Sequence, residues 1–224
     1  MNVQSAVIQK QLDLVDAERD RRARDPSLAR RVQLIKSFQH ARFERTYSDL
    51  LAQPRYAKAA TFFLEELYGP RDFTERDAQF SRIVPGLVRL FPAHMVETVV
   101  SLAALHALSE TLDSAMAAQI GDEPLDMPGY RRAWQAVGRP EDRQRQIDLM
   151  LRIGRALESY TRNPLLRHSL RMMRGPARAA GLAALQQFLE LGFDTFRGMR
   201  GADEFLHTVS SRETELAAEL FNAD

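Results

Sequence analysis

The sequence predicts an all-α protein, a compact array of roughly nine helices in one domain spanning residues 1–224. Three observations carry this. No β-branched alternating run and no Asn-Gly or Asp-Gly hairpin turn occurs anywhere in the chain. Prolines stand where a first-turn proline is tolerated, and glycines stand where helices stop. The connections between periodic segments are short, which favours antiparallel neighbours.

Each element follows from local signals. Val3 to Arg24 reads as a weakly amphipathic first helix, predicted as a peripheral arm or dimerisation helix (1–24). Asp25-Pro26 is a cap followed by a first helical position. It opens a long helix to about Ala52 with Leu28, Val32, Ile35, Phe38, Phe43 and Leu50 on one face. Gln53-Pro54 opens the third helix, carrying Tyr56, Ala60, Phe63 and Leu67, and Gly69-Pro70 ends it. Asp72 or Thr74 caps a fourth helix, expected to kink or break at Pro85. Pro92 opens the fifth and most apolar helix, to about Gln119. After a loop over Asp122 to Gly129, a short helix carries Trp134 to Gly138. Pro140 opens the next helix, to about Tyr160, and Asn163-Pro164 interrupts it. Leu165 to Arg174 is followed by a break at Gly175-Pro176. Ala177 to Met199 then places Leu182, Leu185, Leu189, Phe193 and Phe196 toward the core. Asp203 caps the last helix, with Phe205, Val209, Leu216 and Leu220 inward.

Composition narrows the function classes. Thirty-one basic and thirty acidic residues leave a formal charge of +1, little for a protein that coats nucleic acid. The chain has no cysteine, so disulfides, thiol nucleophiles and cysteine-ligated metals are excluded. The amino terminus lacks the apolar core of a secretory signal, and the apolar stretch Val96 to Leu108 is too short to span a bilayer. A cytoplasmic protein with no membrane partner is the expectation. Lysine occurs only at positions 10, 36 and 58, so arginine clusters are first discounted for a general arginine bias.

Three stretches stand out together: Phe62 to Phe73 (FFLEELYGPRDF), Leu105 to Asp113 (LHALSETLD) and Phe188 to Ala202 (FLELGFDTFRGMRGA). They resemble a family of uncharacterised bacterial all-helical proteins. The resemblance implies a fold and no activity, cofactor or ligand.

On the fifth helix His106, Ser109, Glu110 and Asp113 share a face at offsets 0, 3, 4 and 7. One turn earlier that face carries Val99, Leu102 and Ala103, so a polar cluster continues an apolar stripe. Buried charge must be paired or metal-bound. His106, Glu110 and Asp113, with Glu66 from the third helix, form a candidate ligand set for iron or manganese. The competing reading is a structural network. Gln39, Arg42 and Thr46 lie on the apolar face of the second helix, and Arg42 requires a carboxylate that Glu110 or Asp113 could supply. His40 and Glu44 sit opposite that face, and His94 and Glu97 reverse the order found in di-iron bundles. A haem on His106 has no further support.

No acidic residue lies between Ser159 and Leu189, where Arg162, Arg167, Arg171, Arg174 and Arg178 occur. Arg167, Arg171 and Arg174 share a helical face, with Arg178 nearly in phase. This stripe is a candidate anion-binding surface; alternatively it is solvated or paired with acids of another helix. The charged run Arg71 to Asp77 reads as capping and local ion pairs. No phosphate-loop, dinucleotide, nucleophile-elbow or zinc-protease motif is present, which leaves shape-based binding in a helical pocket open. The leading expectation is a non-enzymatic helical protein without a predicted cofactor, acting through contact with a second copy or another protein. A metal-dependent helical-bundle enzyme and an anion-binding protein are the alternatives, and nucleic acid is not an expected partner.

Overall fold

The computed structural model describes residues 3–66 and 73–222. Among these the fold is all-α with no strand, and ten helices have seven residues or more. The first is α1 (Val3–Arg24), followed by α2 (Pro26–Thr46), α3 (Ser48–Ala52) and α4 (Ala57–Glu66). Next come α5 (Thr74–Leu90), α6 (Ala93–Ala117), α7 (Met127–Val137) and α8 (Pro140–Thr161). The chain continues through α9 (Pro164–Met172), α10 (Arg174–Ala179), α11 (Ala183–Met199) and α12 (Asp203–Asn222).

Several boundaries follow their caps. The Asp25 carboxylate accepts from the backbone N–H groups of Ser27 and Leu28, both at 3.0 Å, with Pro26 in the first turn. Asp126 accepts from the Gly129 N–H at 2.7 Å, and Asn163 from Leu165 at 3.0 Å. Gly138 ends α7 at φ +65°, a conformation that favours glycine.

Other boundaries differ from expectation. The long second helix breaks at Tyr47, whose ring is fully buried against Phe43 and whose hydroxyl donates to Glu213 at 2.8 Å. Gln53-Pro54 leads a turn, and α4 begins only at Ala57. Leu67, the stop at Gly69-Pro70, Arg71 and the cap Asp72 lie outside the described residues. Thr74 is the first residue of α5 rather than its cap. Pro85 sits inside an unbroken α5. Gly175-Pro176 lies in the first turn of α10, where a missing N–H costs least, and the chain turns instead at Gly181, φ +68°.

Helix α1 packs on α6 and α5. Its apolar face (Ile8, Leu12 and Val15) is buried within the chain. Helix α6 is the central element, in contact with α1, α2, α5, α7 and α8. At 25 residues it outruns the apolar stretch recognised in the sequence. By length and composition alone it could cross a membrane; here it lies among those helices.

Three apolar clusters form the interior. One joins α1, α5 and the start of α6 through Ile8, Leu12, Val84, Val88 and Val96. Another joins α2, the end of α6, α7 and α12 through Val32, Ile35, Met116, Trp134 and Leu220. The largest is rich in aromatic rings and joins the end of α2 with α3, α4, α8, α11 and α12. There Phe63 packs edge-on to Phe205, 5.2 Å between centroids. Gly154 lets α8 approach α12, because a Cβ at that position would meet Leu206 at 2.5 Å.

Candidate functional site

A cavity of ≈ 200 Å³ opens where the three clusters meet, and α6 forms one wall of it. Val99, Leu102, Ala103, Leu105, His106, Ser109, Glu110 and Asp113 all line it. At about 1.5 Å rise per residue, the stretch from Val99 to Asp113 runs along the cavity for about 21 Å. The apolar half is completed by Phe80, Ile83 and Leu87 of α5 and Phe188 and Leu189 of α11. Leu189, expected in the core, is 41 % exposed. Lys36, Gln39 and Arg42 of α2, Tyr130 and Trp134 of α7, and Arg143 and Gln146 of α8 complete the polar half. The stripe seen on the fifth helix is thus the wall of a cavity, with its apolar-to-polar change preserved.

The four proposed metal ligands do not converge. Among the described residues no group of three or more His, Asp or Glu side chains is placed to hold a metal. Glu110 faces Lys36 Nζ at 2.6 Å and Arg22 at 2.5 Å. Burial pushes its carboxyl up, but these two cations more than offset it and hold the pKa at about 2. His106 Nε2 lies 2.8 Å from Asp77, which also takes Arg19 at 2.5 Å. Burial raises the Asp77 carboxyl; the hydrogen bond and charge of His106, with Arg19 and Arg76, bring it to about 2. Asp113 accepts from Gln39 at 3.0 Å, and its burial raises its pKa. Glu66 takes Arg76 at 3.3 Å. The three carboxylates are engaged with bases or an amide and His106 with a carboxylate of α5, each on different partners, so the four do not face one common point.

Arg42 does find a carboxylate, but not on α6. Its guanidinium donates to both oxygens of Glu213 on α12, at 2.6 and 3.2 Å. His40 lies 3.6 Å from Glu65, and Glu44 is exposed.

His106, Ser109 and Asp77 are the residue types of a hydrolytic triad, yet the geometry is not that of one. The Ser109 hydroxyl accepts from Gln146 at 2.8 Å, and the His106 ring nitrogen is bonded to Asp77 instead of Ser109. The nucleophile–base hydrogen bond that such chemistry needs is not made.

Half of the arginine stripe is turned onto α11. Arg167 donates to Asp194 at 2.9 Å, and Arg174 is held against Glu190. Arg171 and Arg178 are exposed. Pairing with acids of a neighbouring helix, the alternative open in the sequence, holds for two of the four.

Asp77 and Arg76 lay in the charged run read as a helix start, and sequence reasoning gave them no place in a site. Lys36, Arg143 and Gln146 were not recognised either. A signal existed for one of them: Arg143 occupies the same helical stripe as Ile147, Met150 and Gly154, a charge on an otherwise apolar face.

The sequence profile of a domain of unknown function, DUF8198, matches residues 18–224. No curated protein and no solved structure matches the chain.

Proposed function

We propose that this chain, which belongs to the DUF8198 family, is a binding protein whose cavity along α6 takes a small amphiphile. The observation behind this reading is that one helix presents Val99, Leu102 and Ala103, then His106, Ser109, Glu110 and Asp113, to a single cavity. An apolar chain would lie beside the first group and a polar head beside the second. Burying the chain drives association at about 25 cal/mol per Å² of apolar surface, and the polar groups fix its direction.

The protein carries its own reporter. Trp134 is the single tryptophan and lines the cavity. Titration with 1-decanol is expected to give a saturable change in its emission. Leu102→Arg, which puts a charge in the apolar half, is expected to abolish that change while the helical circular dichroism stays intact. The reading fails if no alkyl alcohol, alkanoate or alkylamine produces a saturable change.

A second reading, contact with a partner protein, is favoured by α9. This helix buries no residue, and it exposes Leu165 and Met172 at 72 % and 67 %. Light scattering that finds only monomer over a wide concentration range would remove the homodimer form of this reading.

A further inference from the structure

We propose that the face formed by α9 and α10 docks on the surface of a membrane that carries anionic lipid. The inference goes beyond the cavity reading and does not rest on it.

The first support is an apolar edge that the fold leaves uncovered. Helix α9 buries no residue. Polar contacts hold it to one ridge of α11: Gln186 donates to the Leu170 carbonyl at 2.6 Å, Arg167 to Asp194 at 2.9 Å, and Arg174 to Glu190. Leu165 and Met172 stand about two turns apart on one line of the helix, and both are exposed. Met173 beside them is exposed as well. Leu90 and Phe91, also exposed, belong to the same end of the molecule. There the Tyr160 hydroxyl, near the end of α8, donates to the His94 carbonyl at 3.1 Å, which joins the start of α6 to the approach to α9. An exposed apolar patch of this kind marks a contact surface.

The second support is charge. No acidic residue lies between Ser159 and Leu189. Arg167 and Arg174 are taken by α11, but no ion pair among the described residues holds Arg171 or Arg178, both exposed. Basic groups beside exposed Leu and Met suit a bilayer surface. The apolar side chains enter the boundary between head groups and acyl chains, and the guanidinium groups stay with the anionic heads.

The same charge selects among occupants. A second copy docked about a two-fold axis through this face would set basic face against basic face. A partner helix needs a groove to lie in, whereas α9 stands proud of the helices beneath it. The formal charge of the whole chain is only +1, so attraction to anionic lipid would be local to this face. The expectation of no membrane partner came from the want of a spanning segment, and a surface contact needs none.

Sedimentation of the full chain with vesicles tests this. Phosphatidylcholine vesicles with about one third phosphatidylserine are expected to bind the protein at least about tenfold more tightly than phosphatidylcholine alone, and added salt to release it. Leu165→Ser with Met172→Ser is expected to weaken binding to the anionic vesicles by about tenfold or more. Arg171→Gln with Arg178→Gln is expected to do the same, at about fivefold for each charge lost. All four positions are exposed, so both variants should keep the native circular dichroism and urea midpoint. Arg24→Gln with Arg45→Gln removes as much charge from exposed positions on α1 and α2 and should leave binding within about twofold. Equal affinity for the two kinds of vesicle would overturn the proposal, as would α9 and α10 variants that bind like the native protein or a control pair that weakens binding as much. Absence of vesicle binding, with a dimer in light scattering that the two serines dissociate, would overturn it in favour of a second copy. The Trp134 titration reads the cavity alone, so either reading can fail without the other.

Discussion

Arg42 joins two parts of the chain that lie far apart in sequence. The residue is 6 % exposed, and its guanidinium meets Glu213, 171 residues away, in a two-pronged pair that also takes the Tyr47 hydroxyl. A buried pair of this kind adds little over an apolar replacement, but breaking it strands a charge. Arg42→Met alone is therefore expected to lower the stability by about 3 kcal/mol. The double variant Arg42→Met with Glu213→Leu should recover most of that loss in urea unfolding. A double variant as unstable as the single one would show that the pair itself contributes the stability. The need for a partner was legible in the sequence, because Arg42 interrupts an apolar helical face. The partner's identity was not: Glu110 and Asp113 met the same requirement, and periodicity carries no information about which of two distant helices lies across. His106 shows the same limit. Its inward direction was visible, while its partner Asp77 lay in a charged run whose local pattern suited a helix start equally well.

At the level of elements, α1 is clamped to the body by two arginines in its last two turns. Arg19 meets Asp77 on α5, and Arg22 meets Glu110 on α6. Both carboxylates titrate at about 2 in the fold, below the range near 4 of an unfolded chain. A lowered acid pKa contributes stability that is complete above the unfolded value and disappears as pH falls through the folded one. Stability is thus expected to drop between about pH 5 and pH 2, by on the order of 2 kcal/mol for each group. Asp113, shifted the other way by burial, works with the opposite sign and offsets part of the drop. Hydrogen exchange should show residues 3–24 losing protection first as pH falls. The double variant Asp77→Asn with Glu110→Gln should be less stable near neutral pH and should lose less stability than the native protein between about pH 5 and pH 2; an unchanged slope would contradict the clamp. The sequence signalled α1 as a helix but not its place. Its apolar positions are few, and the ion pairs that dock it are invisible to periodicity. Boundaries set by a cap at Asp25 and Asn163 were legible; the one at Asp126 was not, and α7 begins at Met127, inside the stretch read as a loop to Gly129. The break at Tyr47 was not, because the burial of its ring and the bond of its hydroxyl decide it.

Across the whole molecule, the three apolar clusters do not merge into one solid core; they leave the cavity at their junction. The all-helical class was readable because helix signals act over a few residues. The cavity was not, since it belongs to the gaps between helices; only its α6 wall left a trace, the apolar stripe that turns polar. That wall has one more consequence. A helix lining a cavity lengthwise is a ruler, its inward residues graduations about one turn, or about 5.4 Å, apart. Bulk added at Val99 should shorten the measured chain from its far end. Bulk added at Ala103 should shorten it by roughly one graduation more. In a series of alkanoates, the best-bound length should step down from the native protein to Val99→Phe and again to Ala103→Phe, and an equal optimum in all three would mean that the cavity does not gauge length along α6.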